Sequence, residues 1–479
     1  MPRLTLNLLS PAEIENIHRS SLLILERTGV LVPHQGVLQA LADHGARINW
    51  DEQRVYFSED IIQWALSQAP SAFTLHGRQP ARQARFGQGQ TNLISSPGQI
   101  AWFDPEQSVR RDPLLEDVRR AARLGDALGN ISIVGAMGVP ADVPLAVRDV
   151  VLTTELARHT TKPTRCFPID RRTSEYVLEI YAALAGGVET LRRMPMAEVY
   201  LDPVSPLTFS EVGLEIAMAF IACGQPVSVP AMPMVGATAP VTLAGTIAQA
   251  NAEILAGIAI VQALAPGNPV MYGGIPHLMD LRSGIISFGS PEQGLMAVAM
   301  AELGKHYGLP VYVNTNLTDA RRPDAQAGME KMASLLLGLI AGADLLGHAG
   351  LVGNDNGGSL IWLLLDHEAF DFARRISQGF PLDEASLALD IIDSVGPGGY
   401  FLDTEHTYRL FRQALWHPTK AWNRDNYDGW LASGATDFEG RAASLVEQLL
   451  STHHPAPLEP GLDAEIERIT NLARQEFST

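Results

Sequence analysis

The sequence predicts an α/β fold of the (β/α)8 kind, a TIM barrel, with a helical region before it and a helical extension after it. Three observations carry this. Eight short apolar runs alternate with helix-length stretches between residues 91 and 379, as parallel strands covered by helices require. No GxGxxG turn follows the first run, although the competing doubly wound sheet usually shows one. Apolar residues make up 46% of the 479-residue chain and charged residues 18%, enough apolar material for a large core.

The elements follow in order. In residues 1–90, Ser10-Pro11-Ala12-Glu13 places a capping serine, a first-turn proline and an acidic residue at the third helical position, so a helix runs from there to Arg27. Residues 37–44 and 59–68 read as further helices and 54–57 as a short strand. This region reads as packing or oligomer surface. The eight runs of the barrel domain, 91–379, are 91–95, 131–136, 163–167, 197–202, 226–229, 269–272, 310–314 and 343–347. Helices are expected at 113–128, 145–159, 173–185, 211–223, 241–264, 291–307, 324–341 and 360–377. A hairpin-like insertion at 98–110, with Trp102 and Phe103 before Asp104-Pro105, falls in the first strand-to-helix loop. The extension, 380–479, carries Trp and Tyr clusters and ends in an amphipathic segment at 462–477; it reads as a helical lid or an interface.

Charge and composition exclude several partners. With 53 acidic and 35 basic side chains the net charge is −18, which disfavours nucleic acid and anionic membrane surfaces. The N-terminus lacks the long apolar stretch of a signal peptide, and the most apolar stretch, 254–265, is shorter than the ~20 residues that span a bilayer. Cys166 and Cys223 form no CxxC pair, so a reduced, cytoplasmic setting is expected.

In this architecture the chemistry sits at the carboxyl ends of the strands. Those positions are mostly small and apolar, with Asp202, His277 and His348 as ionisable groups. The lysines are only Lys162, Lys305, Lys331 and Lys420, none at a strand end, so Schiff-base chemistry is excluded. No HxH pattern or ligand set suggests a metal, and no carboxylate pair suggests glycoside hydrolysis. Such a mouth suits a flat ligand near the backbone or a cation held by aromatic faces, or its glycines and prolines only shape loops.

The stretches LSPAEIENIHRSSLLILERTGV, AFTLHGRQP, MYGGIPHLMDLRSGIISFGSPEQGL, TDARRPDAQAGMEKM and VGPGGYFLDTEHT resemble the trimethylamine methyltransferase family. The resemblance implies a TIM-barrel enzyme that moves a methyl group from a methylated amine to the cob(I)alamin of a corrinoid protein. Founding members carry pyrrolysine, and this chain contains standard residues only. It therefore resembles the branch acting on quaternary amines, glycine betaine foremost. A quaternary nitrogen has no lone pair for an acid to protonate, so a rim poor in acids and bases fits that branch.

Several residues are then candidates for substrate binding. Tyr272 offers an aromatic face beside Gly273-Gly274, worth ~0.5–2 kcal/mol to a cation, unless it is a core tyrosine. His348, Asn314 and Asn316 are placed to hydrogen-bond a carboxylate, unless His348 is a satisfied structural histidine. Gln326 and Glu330, four apart on one helix face, either order the mouth or stand on the surface. Asp202, Ser205 and His277 read first as loop-structuring. Tyr400 and His406 either form a lid over the site or cap the C-terminal helices. The expected partners are a small quaternary amine, a corrinoid protein that brings the cobalamin, and further copies of the chain in a homo-oligomer. The alternatives are another betaine, such as carnitine or proline betaine, and a non-catalytic barrel that only binds quaternary amines.

Overall fold

The computed structural model describes residues 4–104, 109–354 and 356–477. Its centre is a curled sheet of eight parallel strands: β1 (Asn92–Ser95), β2 (Ile131–Gly135), β3 (Thr164–Arg165), β4 (Val199–Tyr200), β5 (Val227–Ala231), β6 (Val270–Gly274), β7 (Val311–Asn314) and β8 (Leu345–Ala349). Their order is β3-β2-β1-β8-β7-β6-β5-β4. All eight predicted runs are therefore strands of one sheet, in the cyclic order that a barrel demands. The expected closed barrel is met only in part: among the described residues no backbone pairing joins β3 to β4. Both are two residues long and pair only with β2 and β5 respectively, so the sheet has a seam there.

Each strand leads to a helix: α1 (Leu115–Ala127), α2 (Arg148–His159), α3 (Arg171–Ala185), α4 (Glu211–Ala222), α5 (Leu243–Leu264), α6 (Pro291–His306), α7 (Ala325–Ala341) and α8 (Leu360–Ser377). Four begin on the capping residues their sequences announce. Asp170, Ser210, Ser290 and Asp324 each accept a hydrogen bond from the N–H three residues on, satisfying donors that the first turn leaves open.

Helix α5 is apolar over 22 residues and is enclosed nearly all round. Among the described residues no other helix is long and apolar enough to cross a membrane. Its outer side is covered by the N-terminal helices Pro11–Arg27, Gln35–Asp43 and Glu59–Gln68. The first of these has the predicted capping box, Ser10 with Glu13.

An unpredicted hairpin, Phe73–His76 with Gln83–Phe86, closes the amino-terminal end of the sheet. Phe73, Leu75, Ala84 and Phe86 pack onto the inward residues Ile94, Ile133, Met271 and Leu345. Gly87 N and Val311 N donate to the two oxygens of Asp344, at 2.7 and 2.9 Å, which ties the hairpin's exit to β7 and β8. The insertion after β1 is a hairpin of Ala101–Asp104 and Val109–Arg111; Pro105 and its neighbours to Ser108 lie outside the described residues.

The C-terminal helices Phe438–Thr452 and Pro460–Glu476 lie on the outer layer, against α8 with α1 and against α2 with α3. Between residues 380 and 437 the chain forms an arm. It is anchored by Trp416 Nε1 donating to Asp371 at 2.7 Å and Trp422 Nε1 to Glu368 at 2.9 Å. Both acceptors lie on the part of α8 away from the strands' carboxyl ends. The arm is therefore attached away from the rim, and Tyr400 on it is 71% exposed, which removes the lid reading for this copy's own rim.

Candidate active site

Inside the sheet, towards the carboxyl ends of the strands, a polar cluster interrupts the apolar lining. Arg165 from β3 pairs with Glu198 and donates to the Tyr200 hydroxyl, both on the segment of β4. Ser228 of β5 donates to Glu198. The Arg165 guanidinium also lies 4.5 Å over the Tyr200 ring, and the ring of Tyr312 from β7 stacks on Tyr200 at 5.9 Å. His348 follows: its Nε2 is 3.1 Å from the Tyr312 hydroxyl. The chain of contacts crosses the seam and then the interior, from β3 to β4, β7 and β8. Arg165 and Glu198 are both almost completely buried, which charged side chains tolerate only as partners.

Two histidines face this interior as neutral bases. Burial pushes His348 down to about 3, helped by the charges of Arg165 and His277. Burial likewise takes His277 to about 4, against a hydrogen bond to the Ile275 carbonyl at 2.5 Å. His348 Nδ1 and His277 Nε2 are buried without a hydrogen-bond partner among the described residues. Asn314 lies in register with Gly347, the neighbour of His348, and its buried Oδ1 is likewise unpartnered. Buried polar atoms left open in this way are atoms a bound molecule can satisfy.

Asp202, just past β4, keeps an exposed side chain that lines a recess in the protein. Desolvation in that recess pushes the carboxyl up to about 7, with the charge of Arg165 pulling the other way.

Of the sequence candidates, His348, Asn314, His277 and Asp202 thus come together at the rim. Tyr272 does not, which corrects the expectation of an aromatic face there: its ring points outward between helices, its hydroxyl donating to Asn251 of α5 at 2.7 Å, while its neighbour Met271 takes the inward position. Ser205 is turned away, donating to Glu253 of α5 at 2.7 Å. Glu330 braces the loop after β7, accepting from the Thr318 hydroxyl at 2.6 Å, Asp319 N at 2.8 Å and Gln326 Nε2 at 2.8 Å; Gln326 itself is exposed. Asn316 lies against Asp366 in a second buried assembly. There Lys331 Nζ donates to Asn316 O and to Asp366 Oδ2, both at 2.9 Å, and Gly350 N donates to the same carboxylate oxygen at 2.8 Å. The loops after β7 and β8 are locked together.

Arg165, Glu198, Tyr200 and Tyr312 are the residues that sequence reasoning missed. A signal existed for the first two: each is a charge inside a short apolar run, TRC and EVY, and a charge in a strand covered on both faces must find a partner. Among the described residues no three His, Cys, Asp or Glu side chains converge as a metal site would require.

Comparison with known proteins agrees with this architecture. The family model described as trimethylamine methyltransferase (MTTB) matches residues 2–478. The glycine betaine methyltransferase of Desulfitobacterium hafniense is 32% identical over 464 residues, 96% of each chain. A trimethylamine methyltransferase, MttB, of Methanosarcina barkeri is 31% identical over 98% of this chain and 96% of that one. Among solved structures, the monomethylamine methyltransferase of Methanosarcina barkeri superposes with a TM-score of 0.51 at 13% identity, covering 98% of this chain and 92% of that one, a likeness of fold. With a family model spanning nearly every residue and relatives alike along their whole length, the chain belongs to the trimethylamine methyltransferase family.

Proposed function

We propose that the protein transfers a methyl group from a quaternary amine, glycine betaine foremost, to the cob(I)alamin of a separate corrinoid protein. The observation that carries this reading is the neutrality of the rim: its two histidines are held far below their ordinary range, at about 3 and about 4. Neither is an imidazolium at neutral pH, so neither can serve as the acid for a departing amide anion. Demethylating a tertiary amine would expel a secondary amide anion and so needs such an acid, whereas a quaternary ammonium releases a neutral tertiary amine and needs none. The 32% identity to a glycine betaine methyltransferase supports the choice of substrate.

We read the curled sheet as a barrel whose seam is bridged by side chains, Arg165 to Glu198 and Tyr200. When docked, the corrinoid supplies the nucleophile; the open polar atoms of His348 and Asn314 fit a small ligand lying between it and the sheet. The protein's own part is to fix the amine with one methyl outward, to exclude water and to donate to the carboxylate from His348 in its N–H tautomer. Discharge of the substrate cation is favoured where water is excluded. The free thiols Cys166 and Cys223 support a cytoplasmic setting.

Incubation with cob(I)alamin and a panel of amines, followed by corrinoid absorbance, tests the reading. Transfer from glycine betaine is expected; absence of transfer from every quaternary amine overturns it. His348→Ala should raise KM for glycine betaine about tenfold, the usual loss for a hydrogen bond to a charged group, and an unchanged KM removes His348 from the site.

A further inference from the structure

The seam between β3 and β4 contains a cavity of about 100 Å3. Its wall includes Phe167, Tyr200 and Asp202, with the Arg165–Glu198 pair on the inner side and Ser210, which caps α4, on the outer. The Phe167 and Tyr200 ring centroids are 6.0 Å apart and the planes are inclined by 58°, so the rings form a corner instead of a closed stack. Phe167 is 44% exposed although it directly follows a buried strand, and its face is accessible from the cavity.

The charges are unequal. Arg165 and Glu198 cancel one another as an ion pair. Asp202 remains: among the described residues no donor hydrogen-bonds to its carboxylate, and it feels the guanidinium only at a distance. The faces of Tyr200 are taken by Arg165 and Tyr312, so among the described residues the wall offers one open aromatic face, that of Phe167, and a carboxylate with no hydrogen-bonded partner, which a bound cation would hold ionised. A water molecule takes about 30 Å3 of liquid, so the cavity has room for the nitrogen and three methyl carbons of a trimethylammonium head and little more. Such a head has no N–H to donate; only ring faces and an uncompensated anion can recognise it.

We propose that this seam cavity is the cation subsite: the ammonium head of the substrate rests on the face of Phe167, beside Tyr200, with Asp202 as its counter-charge. The proposal rests on the quaternary-amine reading above. It replaces Tyr272, which the fold turns outward, as the source of the aromatic contact. It also assigns Asp202 to binding alone. A carboxylate that stabilises the bound cation strengthens the ground state and gives nothing to a transition state in which that charge disappears, so its removal weakens binding without slowing the saturated rate.

The experiment uses the full chain and two probes, glycine betaine and tetramethylammonium, which shares the head and has no carboxylate. Binding is measured by calorimetry without corrinoid, and transfer with it. Asp202→Asn and Phe167→Leu keep size at accessible positions. Each is expected to raise Kd and KM for both probes about tenfold, with kcat retained in Asp202→Asn. Unchanged Kd for tetramethylammonium in both variants, or loss confined to glycine betaine, overturns the cation subsite while leaving the methyltransferase reading in place. Wild-type protein that binds both probes and transfers from neither overturns the methyltransferase reading and leaves the subsite standing.

Discussion

At the scale of single residues, the direction of a side chain decides its role more than its position along a strand. Tyr272 and Tyr312 both lie in buried strands, one with its hydroxyl on α5 and the other beside His348. In a parallel strand covered on both faces, apolar residues occupy both sides, so VMYGG and VYVN carry no alternation that tells inward from outward. Asn314 and His348 were legible because they are polar residues at strand ends, where the interior opens. The distinction gives a prediction: Tyr272→Phe should leave KM for glycine betaine unchanged and lower stability by about 1–3 kcal/mol, because the buried Asn251 oxygen loses its donor. Chemical denaturation alongside steady-state kinetics checks it, and a raised KM would return Tyr272 to the site.

At the scale of elements, the sheet strands and their helices were readable because apolar runs alternate with capped helical stretches; even α8 keeps its predicted ends. The hairpin at Phe73–His76 and Gln83–Phe86 was not readable. Two runs of four residues separated by GRQPAR carry too little pattern, and only contact with the sheet's end gives them a reason to pair. Packing also explains the DAQAGMEKM stretch. Lys331 on α7 and Asp366 on α8 are buried together and hold Asn316 O and Gly350 N. Breaking one partner of a buried pair costs ~3–5 kcal/mol, whereas replacing both with apolar residues is often neutral. Lys331→Met should therefore destabilise by that amount and raise KM through the loosened loops after β7 and β8. Lys331→Met with Asp366→Leu should recover most of the stability, as melting of the single and double variants will show.

At the scale of the whole molecule, protonation couples the site to stability. His348 and His277 are neutral in the folded protein down to about 3 and about 4, whereas in the unfolded chain a histidine takes up a proton near 6.5. Between those values the unfolded state binds more protons, so the stability these residues contribute is present above about 6.5 and is lost as the pH falls towards 4. His348→Gln should show a shallower decline in Tm across that window than wild type; parallel curves would mean that His348 is not held neutral by burial.

Helix α5 has the length and apolarity of a bilayer span, yet it lies sideways to water behind the three N-terminal helices. That arrangement gives the opening stretch of the chain a task unrelated to chemistry. Without it, a cylinder of 22 mainly apolar residues would face solvent along one side, a surface that in a folded monomer invites aggregation. The first seventy residues are in this sense the solubilising cover of the enzyme, and a shortened version of the protein that begins at the sheet would have a core with one wall missing.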